Sequence, residues 1–580
     1  MEVMQKYACA STMRNWKRLC LDYTDNKLQK RANKVFSNKN IIPVECFSRQ
    51  DNIGYITKIL DRIKEFEVSI KTVINSLCVG QLYLHNVADK LIVRDFINEL
   101  LIDYNEDIAS ITLPNDENDI IGIIYQALLS EGYKNKAGSY YTPAHIIDEL
   151  FNDVNITQDT VLLDPCCGSG RFLLHPKVSN PQNLYGFDID ENAVKIAKTN
   201  LLLRYKEVNF LPNIYCLDFL RLNSNLFSNN QFKNIKADYI ITNPPWGTKY
   251  EGDYSKIFPQ ISSKELFSFF IVKAREYVKE YGNLRFVLPE AFVNVKTHKD
   301  IRSFILSNLT IQEIATYGSC FSNVISKVVT IKLINSLEKN PDILIKNKTE
   351  QYTVKQKDLI QDCQDKIFIL SNNKVRRLLD KFYSTHHYIL EKSIWGLGIV
   401  TGDNSKKLFK ERIANRLPIL TGKEIKKYQA NEPKIFFIFD KKNLQQTASE
   451  DIYKAKEKLI YKFISNKLVF AYDDKQNFVL NSANILIPKI DGMSIKTVCA
   501  FLNSDTMQFI YQKSFNQIKV LKGNLCKLPF PKISKETDDL FVKTVDEQLN
   551  GEDNEDTINN EVYKIYNLTQ EDIAIIKENI

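Results

Sequence analysis

The segment ADYIITNPPWGTKY ends an aliphatic run in Asn243, Pro244, Pro245 and Trp246. Two consecutive prolines remove backbone donors and stiffen the chain, so the Asn243 side-chain oxygen and the Pro244 carbonyl can be held as two fixed acceptors. An amino group on a planar heterocycle offers two N–H donors to such a pair. Accepting both hydrogen bonds localises the nitrogen lone pair, while Trp246 offers a flat face to the ring. The segment therefore predicts activation of an exocyclic amino group as a nucleophile.

A second segment, VLLDPCCGSGRFLL, has the residue types of a site for a nucleoside-bearing molecule. A strand is expected to end at Asp164, after which Gly168 and Gly170 let the backbone turn tightly against a ligand. Another strand is expected to end at Asp188, where a carboxylate can accept hydrogen bonds from ribose hydroxyls or can cap the next helix. Because the glycine loop precedes it, we expect ribose binding at Asp188 and helix capping at Asp190.

These segments lie in residues 136–340, where short aliphatic runs alternate with amphipathic segments. The predicted strands are VLLDPCC, NLYGFDID, NIYCLDF, ADYIITNPP, LRFVLPE, IQEIATYG and KVVTIKLI. Strands separated by helical segments predict an α/β fold, a doubly wound Rossmann-like sheet with a largely parallel core. Ligands bind such sheets at the carboxyl ends of the strands, which is where the segments above are placed.

The rest of the chain has other patterns of apolar and charged residues. Residues 1–135 have apolar residues at helical spacing and predict a helical N-terminal domain. Its basic segment STMRNWKRLCLDYTDNKLQKRANK could contact DNA or could be the basic face of an ordinary helix. Residues 345–535 contain short strands among lysine-rich connections, which predict a separate α+β domain. Residues 536–580 predict an acidic helical tail, with a loop at GEDNEDTINN and a last helix capped by Thr569.

The charge of the chain is unevenly distributed. The net charge is +8, but residues 536–580 hold 13 acidic and 3 basic residues, or −10, which leaves +18 on residues 1–535. A strongly basic body favours a polyanionic partner. A lysine-rich surface can also simply be solvated, so the charge alone leaves both interpretations open.

Composition argues against membrane and metal classes. No apolar stretch approaches the roughly 18 residues that span a bilayer, and the N-terminal residues lack the apolar region of a signal peptide. The sequence therefore predicts a cytoplasmic protein without a membrane partner. The 11 cysteines include no CxxC pair, so neither a disulfide framework nor a metal site is expected.

The ordered motifs resemble those of bacterial type II adenine-N6-specific DNA methyltransferases. AGSYYTP at 137–143 resembles the family segment that folds over the methionine end of S-adenosylmethionine, and D-P-x-C-G-S-G-x-F-L resembles the segment that lines its methionine moiety. With NPPW and then a recognition region, this order is the gamma arrangement. The resemblance implies a methyltransferase domain at 136–340 and a DNA target-recognition domain at 345–535.

The resemblance also assigns residues. It implies cofactor binding by Tyr141, Thr142, Pro143, Asp164, Cys166, Gly168, Gly170, Asp188, Asp218 and Phe219, the last two on the cofactor's adenine. It implies that the catalytic residues are Asn243, Pro244, Pro245 and Trp246, with Phe321 as a second wall for a base flipped out of the duplex. Phe321 can also be read as a core residue at a strand edge. The family more often has tyrosine or phenylalanine where this chain has Trp246.

The recognition region is less specific in its residues. Basic and aromatic side chains there could contact phosphates or bases, although each alone can equally be solvated surface: Lys423, Lys426, Lys427, Tyr428, Lys462 and Tyr472. The base-reading residues therefore stay open at the level of sequence.

The resemblance implies site-specific methylation of adenine N6 in double-stranded DNA, in a restriction–modification system whose cognate endonuclease is a candidate partner. One alternative is the modification subunit of a multisubunit system, in which a separate chain reads the DNA; the long basic C-terminal region argues against it. Enzymes that methylate RNA bases or a protein amide use similar loops, but they would not need such a long recognition region. The DNA sequence that is read stays undetermined.

Overall fold

The computed structural model describes most of the chain after residue 41. The described residues are 42–43, 46–47, 49, 51–114, 119–130, 133, 140–222, 232–246, 254–318, 320, 327–362, 366–368, 370–384, 387–515 and 519–580. They form two compact units, a first unit that ends at Leu370 and a second unit that spans Ser371–Ile580. The basic N-terminal segment and Phe321 lie outside the described residues.

The first unit is built on a nine-stranded sheet with the order β3-β2-β1-β4-β5-β7-β6-β8-β9. Its strands are β1 Leu162–Asp164, β2 Leu184–Asp188, β3 Asn213–Cys216, β4 Ala237–Thr242, β5 Val278–Pro289, β6 Thr310–Gly318, β7 Val328–Ile334, β8 Asp342–Lys346 and β9 Gln351–Lys355. Strands β1 to β5 are parallel to one another, and β7 runs antiparallel between β5 and β6. The carboxyl ends of β3, β2, β1 and β4 therefore lie side by side.

All seven strands predicted from the sequence are confirmed as β1 to β7. The described residues of β1, for example, are buried on both faces, because helices cover each side of the sheet. Parallel strands covered on both faces read as continuous aliphatic runs, which is the pattern that predicted them. The α/β fold class is confirmed with them.

The helices of the first unit include those that cover the two faces of this sheet. They are α1 Asp51–Lys64, α2 Ile70–Leu84, α3 Arg94–Leu101, α4 Glu106–Ala109, α5 Ile120–Leu128, α6 Ala144–Phe151, α7 Arg171–Leu174, α8 Glu191–Arg204, α9 Tyr254–Ile257, α10 Leu266–Tyr277, α11 Ala291–Asn294, α12 Lys299–Asn308 and α13 Gln356–Leu359. One core contains the apolar sides of α1, α2, α5 and α8 together with β1 and β2. The N-terminal helices thus share a core with the sheet, while their status as a separate domain stays a prediction.

The sheet continues past the boundary predicted at 340–345. Strand β8 pairs parallel with β6 through Glu313 and Leu344, and β9 adds an antiparallel edge. A short pair, β10 Ile360–Asp362 and β11 Ile367–Phe368, follows. The pairing of β8 with β6 is non-local, and no short-range pattern in the sequence indicates to which sheet such a strand belongs.

The second unit contains two four-stranded sheets and a two-stranded one, ordered β13-β20-β17-β18, β14-β16-β15-β19 and β12-β21. Its strands are β12 His387–Tyr388, β13 Ile394–Leu397, β14 Leu408–Phe409, β15 Leu417–Leu420, β16 Ile435–Phe437, β17 Lys458–Lys462, β18 Phe470–Asp473, β19 Phe478–Val479, β20 Ala483–Ile487 and β21 Phe530–Pro531. The short strands predicted in this region are confirmed as β16 to β20, so the α+β texture is confirmed.

The helices of the second unit lie mostly after these sheets. They are α14 Asn373–Ser384, α15 Asn404–Lys407, α16 Glu450–Tyr453, α17 Ile495–Asn503, α18 Asp505–Phe515, α19 Lys522–Leu525, α20 Lys535–Leu549, α21 Glu555–Ile565 and α22 Gln570–Glu578. Across the described part of the whole chain, no helix is long and apolar enough to cross a membrane.

The acidic C-terminal segment packs into the second unit. Thr569 caps α22 as predicted, since its hydroxyl accepts from the Asp572 amide at 3.2 Å while the Asp572 carboxylate accepts from the Thr569 amide. The loop predicted at GEDNEDTINN is wrong in its second half, because α21 already begins at Glu555. Packing overrides the weak helix propensity there: the buried Asn559 side chain accepts from the Asp505 amide at 2.8 Å.

Candidate active site

A cavity of about 680 Å³ lies at the carboxyl ends of β1 to β4 in the first unit. The loops after all four strands contribute to its wall, as expected for a doubly wound sheet. The wall includes these residues predicted from the sequence: Tyr141, Thr142, Cys166, Gly168, Asp188, Asp218, Phe219, Asn243 and Pro245. The other predicted residues that the structure describes are not among those that line the cavity: Pro143, Asp164, Gly170, Pro244 and Trp246.

The glycine loop after β1 adopts the backbone that the sequence predicted. Gly168 and Gly170 have φ values of +51° and +90°, a region that side chains other than glycine rarely adopt. A Cβ at Gly170 would also lie 3.3 Å from the Ala197 Cβ of α8. Gly170 therefore lets the loop close against α8, and Gly168 turns its own N–H toward Asp188.

Asp188 ends β2 and is held by backbone donors. Its two carboxylate oxygens accept from the Gly168 amide at 2.8 Å and from the Asp190 amide at 2.9 Å. Burial raises the pKa of Asp188 to about 6, although these N–H donors favour the charged form. Each oxygen keeps acceptor capacity, so the carboxylate can receive the hydroxyls of a ribose. Asp190 caps α8 by accepting from the Asn192 amide at 3.0 Å, which confirms that prediction.

Asp164 has a bracing role in the structure. It is fully buried, and it accepts from the Thr242 hydroxyl at 2.6 Å and from the Cys166 amide at 3.2 Å. Burial raises the pKa of Asp164 to about 7. Its bonds tie the end of β1 to the last residue of β4, directly before Asn243. Cys166 does line the cavity, and its Sγ lies 2.9 Å from the Thr242 hydroxyl.

Asp218 and Phe219 form the end of the cavity after β3. Asp218 accepts from the Leu220 amide at 3.1 Å and from the Tyr254 hydroxyl, and Arg221 pairs with it at 3.0 Å. Phe219 is 1% exposed and stacks with Phe270 at a ring distance of 6.3 Å. This end combines one polar acceptor with flat apolar walls, a combination that suits a heteroaromatic base.

The Asn243 carboxamide has a defined orientation. Its Nδ2 donates to the Tyr140 carbonyl at 3.3 Å and to the Thr142 hydroxyl at 3.1 Å. A carbonyl only accepts, so the nitrogen must lie on that side and Oδ1 on the other. The segment at 140–142, which the sequence placed near the cofactor, thus also orients the predicted catalytic side chain.

Trp246 contacts Asn243 in a way that the sequence did not predict. Its indole Nε1–H donates to the Asn243 Oδ1 at 2.9 Å. The ring is partly buried and packs against both cores of the first unit. The acceptor that was expected to be open therefore already holds one donor, although a carboxamide oxygen can accept two.

A polar cluster beneath the glycine loop was not predicted from the sequence. The Asp119 carboxylate accepts from the Ser169 hydroxyl at 2.5 Å and from the Asn200 Nδ2 at 2.7 Å, and Arg171 lies 3.7 Å away. Burial raises the pKa of Asp119 to about 6. Ser169 and Arg171 stand inside the quoted motif, so the signal for them was present, whereas Asp119 lies far from it in sequence.

Two aromatic candidates in the recognition region are unavailable to DNA in the structure. Tyr428 is 2% exposed. Tyr472 is 9% exposed, and its hydroxyl donates a hydrogen bond to the Glu457 carboxylate. Lys427 pairs with Glu555 at 2.6 Å. Lys423 and Lys426 are exposed and stay candidates for phosphate contacts.

Comparison with known proteins identifies the family. Residues 116–391 match N-6 DNA Methylase, and residues 417–530 match the TaqI-like C-terminal specificity domain. The type II methyltransferase M.VspI of Vibrio sp. (strain 343) is 30% identical over 314 residues, which cover 52% of this chain and 74% of that protein. The chain belongs to the N-6 DNA methylase family. It is an N6-adenine DNA methyltransferase of the restriction–modification type, from a family that depends on S-adenosylmethionine.

Other relatives of this N-6 DNA methylase match over shorter stretches. The type I restriction enzyme MjaVII methylase subunit of Methanocaldococcus jannaschii is 33% identical over 175 residues, which cover 28% of each protein. The solved structure of the type IIL restriction-modification enzyme MmeI in complex with DNA covers 83% of both chains, with a TM-score of 0.58 and 15% identity. At that identity the likeness shows the fold alone.

Proposed function

We propose that the chain methylates the N6 nitrogen of an adenine flipped out of double-stranded DNA, at Asn243, with S-adenosylmethionine bound in the cavity at the carboxyl ends of β1 to β4. The observation that carries this proposal is the Asn243 carboxamide, which Tyr140 and Thr142 orient at the edge of that cavity. A fixed amide oxygen beside a nucleoside-sized cavity is what activation of an amino group requires.

The residues of the cavity fit S-adenosylmethionine. The strand order places Asp218, Asp188, the glycine loop and Asn243 at successive strand ends, with neighbouring strands about 4.8 Å apart. Asp218 and Phe219 suit the adenine, Asp188 suits the ribose, and the loop leaves room for the methionine part. Carboxylates from Asp188, Asp190, Glu191 and Asp218 line the cavity and complement a cationic ligand.

The chemistry at Asn243 is positioning with electrostatic stabilisation. Bound S-adenosylmethionine would supply an electrophilic methyl group on a sulfonium. The Asn243 Oδ1 and the Pro244 carbonyl would accept the two N–H bonds of the adenine amino group and hold its lone pair toward that methyl. Transfer of that methyl to N6 would leave a neutral thioether, and N6 would then release one proton to solvent. The reaction therefore requires no covalent enzyme intermediate.

The same chain is proposed to read the DNA. Its C-terminal region matches a specificity domain over residues 417–530, which supports recognition within this chain rather than in a separate subunit. That favours a self-contained methyltransferase over the modification subunit of a multisubunit system. A restriction endonuclease with the same recognition sequence remains the proposed partner of such an enzyme.

Sequencing of modified bases in DNA from expressing cells tests this function. Long-read sequencing should find N6-methyladenine confined to one short motif in cells that express the wild-type chain, and none with Asn243→Ala. Asn347→Ala, in the exposed turn between β8 and β9, is the matched control and should keep the mark. Absence of any adenine mark with the wild-type chain, or a mark that persists with Asn243→Ala, would refute the proposal.

A further inference from the structure

Arg171 is a cavity-lining cation whose donors are not fully used. Its side chain is 13% exposed, and its Nη2 donates to the Cys46 carbonyl at a long 3.3 Å. Its Nε is buried and finds no acceptor among the described residues. A guanidinium carries five N–H donors, and a buried donor without an acceptor is costly. The side chain is therefore prepared for an acceptor that the protein itself does not provide.

Asp119 does not saturate this cation. The nearest Asp119 oxygen is 3.7 Å from the Arg171 Nη1, beyond hydrogen-bond distance. Its carboxylate already accepts from Ser169, from Asn200 and from the Gly122 amide at 3.2 Å. Asp119 thus supports the guanidinium electrostatically, and apart from the Nη2 bond to Cys46 the N–H groups of Arg171 have no close acceptor among the described residues.

The other arginine of the cavity wall is differently placed. Arg221 donates to Asp218 at 3.0 Å and lies over the Tyr254 ring at 5.6 Å, at the end assigned to the adenine. The remaining charged residues in the described wall are carboxylates, which repel an anion. An anionic group of the ligand therefore has Arg171 as its favourable partner.

The strand order determines which part of the ligand reaches Arg171. With the ribose at the end of β2 and the transferred methyl directed toward Asn243 at the end of β4, the third substituent of the sulfonium is the amino-acid chain. The part of the cavity that remains for the amino-acid chain lies at the end of β1, between the ends of β2 and β4. Thr142 and Arg171 line the cavity there. We propose that Arg171 binds the α-carboxylate of S-adenosylmethionine through a charge-assisted pair of hydrogen bonds, which rests on the proposed function.

Two ligands that differ in the amino-acid part test this assignment. S-adenosylhomocysteine carries the carboxylate, whereas 5′-methylthioadenosine lacks the whole amino-acid chain. By calorimetry, Arg171→Gln should weaken S-adenosylhomocysteine binding about 10- to 100-fold and leave 5′-methylthioadenosine binding within about twofold. Arg221→Gln, at the other end of the same cavity, is the matched control and should weaken both ligands to a similar degree.

Each result separates this inference from the proposed function. If Arg171→Gln weakens the binding of both ligands alike, or of neither, the assignment of the carboxylate to Arg171 is overturned. A wild-type chain that binds neither ligand refutes the cofactor site itself. If circular dichroism shows that Arg171→Gln does not fold, Arg171→Lys replaces it, because lysine keeps the charge but lacks the paired N–H groups of the guanidinium. Arg171→Lys should weaken S-adenosylhomocysteine binding about 3- to 10-fold and leave 5′-methylthioadenosine binding unchanged.

Discussion

At the scale of single residues, the bond between Trp246 and Asn243 has a consequence for catalysis. The indole N–H occupies one lone pair of the Oδ1 that the adenine amino group must also use, so Trp246 can hold the carboxamide in place without blocking it. Trp246→Phe keeps an aromatic face and removes this donor together with one of the two fused rings. The single-turnover methylation rate should fall about 2- to 10-fold, the effect of one hydrogen bond.

Cofactor binding provides the control for that variant. Trp246 is not among the residues that line the cavity, so the affinity for S-adenosylhomocysteine should be unchanged in Trp246→Phe. An unchanged single-turnover rate would show that the indole donor contributes nothing to the reaction. A loss of ligand affinity would instead indicate a rearranged loop at 243–246.

Asp188 gives the proposed site a pH dependence. Burial raises its pKa to about 6 in the free protein, while ribose hydroxyls and a cationic ligand favour its charged form. Binding should therefore release a proton at acidic pH. The affinity for S-adenosylmethionine should rise with pH, by at most about tenfold per unit, until about pH 6 and then level off.

Calorimetric titrations across that pH range measure this effect. Asp188→Asn removes the titrating group and should flatten the profile while it lowers the affinity. Asp119 and Asp164, whose pKa values are also raised, are not among the residues that line the cavity, so they should contribute little to the pH dependence of binding. A wild-type affinity that is constant between about pH 5 and about pH 7 would contradict the role of Asp188.

At the scale of elements, ion pairs fix the helix that follows the segment at 140–143. The Arg285 Nη1 on β5 donates to the Leu150 carbonyl at the end of α6 at 2.6 Å and to Asp153 at 2.5 Å. Cations at a helix C-terminus satisfy its free carbonyls and its dipole. Asp153 is 54% exposed and keeps its pair with Lys332 in Arg285→Met. The main loss is therefore the hydrogen bond to the Leu150 carbonyl, and the free energy of unfolding of the first unit should fall by about 1–3 kcal/mol.

Urea denaturation of the full chain measures this loss. The matched control is Lys355→Met, because Lys355 pairs with Asp342 at 2.7 Å on the same sheet while both side chains are about half exposed. That exposed pair should contribute less than about 1 kcal/mol. Equal effects of the two substitutions would show that the hydrogen bonds from Arg285 to the end of α6 are not important for stability.

The elements also show what the sequence can predict. Strands β1 to β7 were found because each is an aliphatic run that ends in a polar residue or a turn, which is local information. Strand β8 and the start of α21 were not predicted. Strand β8 is defined by its parallel pairing with β6, and α21 by the packing of Asn559 against Asp505, and both are contacts between distant segments. The interior of the site follows the same division: the motif residues were predicted, and Asp119, 50 residues from Ser169, was not.

At the scale of the whole molecule, the charge distribution is partly neutralised within the second unit. Acidic residues of the C-terminal helices pair with lysines of the same unit, as in Lys381 with Asp572 at 2.7 Å and Lys496 with Asp546 at 2.5 Å. The unpaired positive charge on the surface of residues 1–535 is therefore smaller than the net charge counted from the sequence. Only lysines without such pairs should contribute to binding of a polyanion.

One segment offers a matched comparison for this idea. Lys423 and Lys426 are exposed, whereas Lys427 pairs with Glu555 at 2.6 Å. Each phosphate contact adds close to one unit to the slope of log affinity against log salt. Lys423→Ala and Lys426→Ala should each lower DNA affinity and reduce that slope by about one, while Lys427→Ala should leave the slope unchanged. Fluorescence anisotropy with duplex DNA over a salt series measures both quantities, and a reduced slope for Lys427→Ala alone would reverse the assignment of these lysines.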